Sequence, residues 1–128
     1  FYIYAAGNNI YGQLGLNKNI MYENFSKCNF DGDKPKKIYM LENNSFLLDK
    51  IGNIYSTGKK DLLFDKEPNN ISYFKKYYKN LLISEIHLNE NSGILESNQN
   101  AYYFFGLNNP ISYMFSHNYM LFSLLAYV

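Results

Sequence analysis

Three segments of this 128-residue chain end in the same way, with a short aromatic or isoleucine-containing run that leads into glycine. They are Phe1–Gly7 (FYIYAAG), Asn53–Gly58 (NIYSTG) and Asn100–Gly106 (NAYYFFG). The final glycines lie 51 and 48 positions apart. A period of a few tens of residues is typical of repeat architectures, in which each unit packs on its neighbours. The spacing therefore predicts a repeat protein.

A second landmark recurs upstream of the last two glycines. Met40–Leu48 (MLENNSFLL) is matched 47 positions later by His87–Leu95 (HLNENSGIL). Each copy predicts three short strands: Ile38–Leu41, Ser45–Asp49 and Asn53–Thr57 in the first, and Leu81–Leu88, Ser92–Ser97 and Ala101–Phe105 in the second. Short antiparallel strands that repeat every fifty residues or so indicate propeller blades. We therefore predict an all-β fold with antiparallel blades, in which residues 1–128 form an incomplete β-propeller with repeat ends near Gly7, Gly58 and Gly106.

The composition agrees with strands and with a packed core. Aromatic residues make up 19% of the chain, all of them Tyr or Phe, and such residues favour half-buried strands. The chain is 47% apolar and 18% charged, which excludes a disordered segment. Its formal net charge is +1, so the concentrated basic face that general nucleic-acid binding requires is not indicated.

The connecting segments carry weaker signals. Asn17–Lys36 and Asp61–Asn70 are polar and predict surface loops. Ile71–Asn80 predicts a helical turn or an outer strand; its alternating lysine and aromatic residues are also typical of single-stranded nucleic-acid platforms, but one apolar and one solvated face is the favoured interpretation. The apolar run Tyr119–Val128 is too short to span a bilayer, so we expect a buried strand or short helix there and no membrane span.

The most specific stretch reads Gly-Asn-Asn-Ile-Tyr-Gly-Gln-Leu-Gly and starts at Gly7. A glycine lets the chain leave a packed strand at an angle that a Cβ would obstruct. Asn9 can bond nearby backbone groups in a turn, while Gly12 and Gly15 permit positive φ and close backbone approach. The stretch lacks the Lys-Ser or Lys-Thr pair of a phosphate-binding loop, so it predicts a structural turn.

Gln13 can satisfy buried backbone polar groups, and Leu14 can fill apolar space between neighbouring blades. The whole pattern resembles the signature of the regulator-of-chromosome-condensation repeat family. Later copies of the motif are degenerate. The copy that starts at Gly58 keeps only that first glycine, and the copy that starts at Gly106 keeps its glycine and one asparagine, Asn108. The predicted structural motif is Gly7, Asn9, Gly12, Gln13, Leu14, Gly15, Gly58 and Gly106.

The resemblance implies a seven-bladed propeller that binds partners and does not catalyse a reaction. It implies a protein partner, with a small GTPase or a chromatin-associated protein as the candidates, and no small-molecule substrate or cofactor. Two alternatives stay open: guanine-nucleotide exchange on a Ran-type GTPase, or a regulatory propeller appended to a catalytic domain. Cys28 has no second cysteine to pair with, which favours a reducing, intracellular compartment, nuclear or cytoplasmic. The chain starts at Phe1, so we expect it to belong to a longer polypeptide.

Candidate catalytic and metal-binding groups are sparse. His87, with Glu85 and Glu90, forms the one local acid–base cluster, and its position in the repeat favours a structural role. Asp31 and Asp33 flank a glycine but lack the later carboxylates of a calcium loop. The sequence therefore predicts no catalytic residue, no cofactor site and no metal site.

Overall fold

The computed structural model describes residues 1–59, 69–77, 79–89, 92–106 and 125–127. Within these ranges the regular secondary structure consists of ten β-strands and no helix. The strands are β1 Tyr4–Asn8, β2 Met21–Lys27, β3 Pro35–Met40, β4 Asn44–Asp49, β5 Ile54–Gly58, β6 Ile71–Lys76, β7 Ile83–Leu88, β8 Ser92–Ser97, β9 Tyr102–Gly106 and β10 Leu125–Tyr127. No described segment is a helix of the length and apolar character needed to cross a membrane.

The strands form three sheets that follow one another along the chain. Strands β1 and β2 make an antiparallel pair, and β3, β4, β5 and β6 make a four-stranded sheet in chain order. The third sheet has the order β10-β9-β8-β7. The predicted all-β fold of antiparallel blades is confirmed for β3–β6 and β7–β9, whereas β10 lies parallel to β9, with Leu125 opposite Tyr102.

Strand β2 lies inside a stretch that the sequence predicts as a surface loop, Asn17–Lys36. Five of its seven residues are exposed. Its sequence, MYENFSK, does not alternate apolar and polar residues as a half-buried strand does, so no strand is predicted there. The chain from Ile71 forms the strand β6, one of the two structures expected there. Residues 61–68 of the second predicted loop, and residues 119–124 and 128 of the C-terminal apolar run, lie outside the described residues.

Strands β4 and β5 are buried on both faces because a neighbouring sheet covers each side. Successive side chains of a strand point to opposite faces, so one strand supplies two cores. Phe46 and Leu48 of β4 belong to the core shared with β7–β9, while Leu47 belongs to the core shared with β1 and β2. The sheet β3–β6 is therefore the middle layer of three.

The turn between β4 and β5 is closed by one carboxylate. Asp49 is 1% exposed, and its Oδ1 accepts hydrogen bonds from the amides of Ile51 (3.0 Å), Gly52 (2.9 Å) and Asn53 (2.8 Å). Its Oδ2 accepts from Asn53 Nδ2 at 2.9 Å and from the Tyr55 hydroxyl at 3.1 Å. Burial alone would raise the pKa of Asp49, but these hydrogen bonds lower it below its ordinary value of 3.8.

Replacing this carboxylate should make the protein less stable and less sensitive to acid. In Asp49→Asn the amide nitrogen cannot accept, so some of the five donors lose their acceptor, at a cost of about 1–3 kcal/mol at neutral pH. Because folding depresses the pKa, the carboxylate stabilises the fold above the unfolded pKa, and this is lost as pH falls through the folded pKa. Urea midpoints between about pH 5 and pH 2 should fall more steeply for the wild type than for Asp49→Asn. Equal slopes for the two proteins would contradict this role.

Candidate functional site

The loop after β1 is built around the amide side chain of Asn9. Asn9 is 0% exposed, and its Nδ2 donates to the carbonyl oxygens of Leu16 (2.9 Å) and Lys18 (2.7 Å). Its Oδ1 accepts from the amide of Leu14 at 2.8 Å. One side chain thus fixes three backbone groups of the loop from Asn9 to Ile20, which we call the motif loop. Among the described residues, every buried side-chain nitrogen or oxygen has a hydrogen-bond partner.

The motif loop is joined to the middle sheet through Gln13. Within the loop, Gln13 Oε1 accepts from the Tyr11 amide at 2.9 Å. Towards the middle sheet, Gln13 Nε2 lies 3.4 Å from the carbonyl oxygen of Glu42. The hydroxyl of Ser45, at the start of β4, donates to the carbonyl of Gln13 at 2.5 Å. The loop and the sheet therefore satisfy each other's backbone groups.

Gly12 lies where the motif loop touches the backbone of β6. Its φ is +81°, in the region that favours glycine, and a Cβ built on it would lie 2.5 Å from the carbonyl oxygen of Ile71. The Thr57 hydroxyl of β5 lies 2.7 Å from the Gly12 carbonyl oxygen and 2.9 Å from that of Ile71. The two carbonyls share its single proton, so Thr57 joins the loop and β6 at the point of closest approach.

Removing the hydroxyl of Thr57 should weaken this junction. In Thr57→Val both buried carbonyls lose their shared donor, and we expect a loss of about 1–3 kcal/mol in the free energy of unfolding. Thr57→Ser keeps the hydroxyl and removes one methyl group, so it should cost about 0.8 kcal/mol. Urea midpoints of the two variants measure the difference. A valine variant as stable as the wild type would show that the hydroxyl adds nothing.

Apolar side chains complete the junction between the motif loop and the middle sheet. Leu14 and Leu16 are 5% and 3% exposed and pack in one cluster with Leu47, Tyr55 and Phe74. The cluster also includes Cys28, whose burial raises the pKa of its thiol to about 11 and keeps it protonated at neutral pH. The motif loop thus inserts its leucines between two sheets.

The three repeat glycines lie at the ends of strands. Gly58 is the last residue of β5 and lies opposite Asn44, the first residue of β4. Gly106 is the last residue of β9 and lies opposite Ser92, the first residue of β8. Gly7 lies one residue before the end of β1. Gly58 and Gly106 therefore occupy equivalent places in two sheets, each opposite the first residue of the preceding strand.

The edge strands β3 and β7, of the second and third sheets, meet at a charged cluster. The Tyr39 hydroxyl of β3 donates to Oε1 of Glu85 of β7, and Lys37 Nζ lies 3.5 Å from the same oxygen. The Ile86 amide also donates to it, at 3.2 Å. Burial alone would raise the pKa of Glu85, but these partners lower it below its usual range. Burial and the neighbouring carboxylate raise the pKa of Tyr39 above its usual value.

The predicted acid–base cluster is divided between separate partners. His87 Nε2 lies 3.1 Å from Glu96 Oε2 on β8, while Glu85 is bound to β3. Glu90, the third member, lies outside the described residues. Among the residues that the structure describes, no three His, Cys, Asp or Glu side chains converge on a point that could hold a metal ion.

An open cleft of about 580 Å³ lies where the segment after β2 crosses β5 and β6. Its lining residues are Lys27, Cys28, Asn29, Phe30, Asp31, Tyr55, Tyr73, Phe74 and Lys76. The Phe30 ring meets Tyr55 edge-on at 5.0 Å and Phe74 edge-on at 6.1 Å. Burial raises the pKa of Tyr55 to about 12, and the hydrogen bond to Asp49 acts in the same direction. We call this feature the aromatic cleft.

The sequence indicated only part of this cleft. The sequence itself shows the alternation of lysine and aromatic residues around Tyr73 and Lys76. Phe30, by contrast, lies in a stretch predicted as a surface loop, and its packing against Tyr55 depends on the path of the chain between two sheets. Nothing local in a sequence records such a path.

Three solved structures share this arrangement of sheets. Yeast RCC1 (Prp20), in its crystal structure with Kap60, aligns with a TM-score of 0.71 at 15% identity over 82% of this chain and 28% of its own. Prp20p from Saccharomyces cerevisiae, described with its binding properties to Gsp1p and histones, aligns with a TM-score of 0.70 at 13% identity. The alignment covers 82% of this chain and 29% of Prp20p. Human WBSCR16 aligns with a TM-score of 0.69 at 18% identity, over 80% of this chain and 28% of its own.

The chain has the fold of an RCC1-repeat β-propeller segment. The resemblance predicted from the motif loop is thereby confirmed at the level of fold. The segment spans less than a third of the length of these solved proteins. No protein-family model matches the sequence, and no curated protein is significantly similar to it. In this segment Gln13 and Leu14 join the motif loop to the middle sheet, and the aromatic cleft is lined by other residues.

Proposed function

We propose that this chain is a segment of an RCC1-type propeller that binds a protein partner and does not catalyse a reaction. The observation that carries the proposal is the match of its sheets to yeast RCC1 (Prp20), which was crystallised bound to Kap60. A propeller binds through side chains and loops around its blades, since the strands themselves are consumed in the core. The partner class that we propose is a small GTPase or a chromatin-associated protein, in line with the repeat resemblance.

The distribution of side chains supports a binding role. The side chains of Asn9 and Gln13 are buried and bonded to backbone groups, so their polar atoms are already engaged within the protein. Exposed large apolar side chains include Phe25 at 77% and Tyr73 at 49%, and exposed lysines include Lys27 and Lys76. Aromatic side chains are enriched at the cores of protein interfaces, and charged groups around them steer the partner into place.

One further candidate has a specific observation in its favour. Prp20p is described with its binding to Gsp1p, and the repeat resemblance implies exchange on a Ran-type GTPase. A fluorescent guanine nucleotide preloaded on such a GTPase provides the test. Our proposal predicts no faster release when the natural full-length protein is added at catalytic concentration. Strong acceleration would assign exchange activity in place of simple binding.

Chemical cross-linking followed by mass spectrometry tests the binding role directly. We expect cross-links from exposed lysines of this segment to a defined partner protein in the natural full-length protein, isolated from its own cells. A variant with Leu14→Ala, which opens the sheet junction, is the matched control and should lose these cross-links as it loses stability. A wild-type protein with no reproducible partner would contradict the proposal.

A further inference from the structure

We propose that the aromatic cleft binds a short acidic peptide segment of a protein partner, with an apolar side chain against the exposed parts of Tyr73 and Phe30 and carboxylates at Lys27 and Lys76. This inference rests on the proposed function, because it names the site and the partner chemistry of a binding propeller. It concerns a part of the chain outside the motif loop. Three features of the cleft carry it: its fixed shape, its charge and the orientation of its rings.

The cleft is held in shape by backbone hydrogen bonds. The Asn29 amide donates to the Gly15 carbonyl at 2.7 Å, and the Asn29 carbonyl accepts from the Phe74 amide at 2.9 Å. Asn29 Nδ2 also lies 3.2 Å from the Ser72 carbonyl oxygen. One wall is thus tied both to the motif loop and to β6. A volume of about 580 Å³ is within the range of pockets that hold small ligands or single anchoring side chains.

The charge of the rim favours an acidic partner. Two lysines, Lys27 and Lys76, and one acid, Asp31, line the cleft. Lys27 Nζ also makes a cation–π contact with Tyr2, 4.0 Å from the centre of its ring. Lys76 also borders a hollow of about 300 Å³ lined by Lys79, so positive charge continues beyond that end. Complementary charge of this kind selects partners and speeds association.

The orientation of the rings favours a peptide over single-stranded nucleic acid. Base stacking needs an aromatic ring with its face open to solvent. Tyr55 and Phe74 are 4% and 6% exposed and meet Phe30 edge-on, so their faces are occupied by packing. Tyr73, at 49% exposed, is the half-exposed ring of the lining. The cleft therefore suits one apolar side chain better than a row of stacked bases.

Fluorescence anisotropy with the natural full-length protein tests the site. The probe is a fluorescein-labelled heptapeptide, Asp-Asp-Glu-Leu-Phe-Asp-Glu. Two control peptides are compared with it: one has lysine at each acidic position, and the other has two serines in place of Leu-Phe. We expect the acidic apolar peptide to bind at least about tenfold more tightly than either. Its affinity should fall as salt is raised.

Charge reversal at the rim locates the binding. Lys76→Glu should weaken the acidic peptide by about tenfold or more, because a like charge then faces the carboxylates. Lys18→Glu makes the same change of charge on an exposed residue of the motif loop, outside the lining, and should leave the affinity within about twofold. Equal binding of the acidic and the lysine peptides would overturn the proposal. So would tight binding of a short oligothymidine that Lys76→Glu abolishes, since the cleft would then be a nucleic-acid site.

Failure of this inference can be told apart from failure of the proposed function. If cross-linking finds a partner of the full-length protein, and Lys76→Glu leaves those cross-links unchanged, the cleft assignment is wrong while protein binding stands. If neither a partner nor the acidic peptide is bound, both are wrong. Loss of partner cross-links in Lys76→Glu, with Lys18→Glu unaffected, supports both.

Discussion

Truncating Leu14 to alanine should lower the free energy of unfolding by about 2–5 kcal/mol. The side chain is 5% exposed and packs with Leu16, Leu47 and Phe74 between two sheets. Its removal costs the transfer free energy of the lost methyl groups and leaves a cavity that the surrounding strands cannot close, since they are held by their own hydrogen bonds. Urea or thermal denaturation of the natural full-length protein measures the loss.

The control for Leu14→Ala is Lys18→Ala in the same loop. Lys18 is exposed and its side chain lies away from the core, so the change should stay within about 0.5 kcal/mol. Partner binding, measured in parallel, should fall in Leu14→Ala only to the extent that the protein unfolds. If Leu14→Ala abolished binding without any loss of stability, the motif loop would be a recognition surface and its architectural role would be mistaken.

Replacing Gly12 with alanine should destabilise the protein by about 2–6 kcal/mol, because two costs add. The first is the strain of a positive φ of +81° in a residue with a Cβ. The second is the contact of that Cβ with the Ile71 carbonyl oxygen at 2.5 Å, which belongs to the backbone of β6 and cannot swing away. Relief of the contact would require the loop to move off the sheet, with loss of the Thr57 hydrogen bond.

Gly7→Ala separates these two costs. Gly7 also has a positive φ, of +116°, but a Cβ built on it would meet nothing within 4 Å. It should therefore show the strain alone, about 1–3 kcal/mol. The difference between the two midpoints measures how closely the motif loop approaches β6. Equal losses in the two variants would mean that the loop is free to shift by the necessary fraction of an ångström.

The sequence predicted the central strands well because their signals are local and repeated. The segments Ser45–Asp49 and Ser92–Ser97 begin 47 positions apart and are each followed by a turn, and β4 and β8 form within a residue of those bounds. Leu14 and Gln13 were predictable for a related reason. Both lie between Gly12 and Gly15, in the motif on which the family resemblance rests.

The features that escaped prediction depend on contacts between distant residues. Strand β2 is recognised by its pairing with β1, with Tyr4 opposite Lys27, because its own residues are mostly exposed. The bond from Tyr39 to Glu85 joins residues 46 positions apart, and its geometry follows from how two sheets pack. A local sequence pattern does not indicate such pairings, so the aromatic cleft and the charged cluster at Glu85 could not be predicted from the sequence.

The junction at the motif loop has a direction. The inserted part, around Leu14, comes before β3–β6 in the chain, and the receiving part, around Ser45 and Thr57, lies within that later sheet. Such a contact is heterologous, since its two halves are different surfaces. A heterologous contact repeated at a constant rotation closes into a ring when the rotation divides the circle, and otherwise continues as an open spiral. Whether units like these close therefore depends on the angle between successive sheets, and each glycine that lets a loop approach its neighbour more closely helps to set that angle.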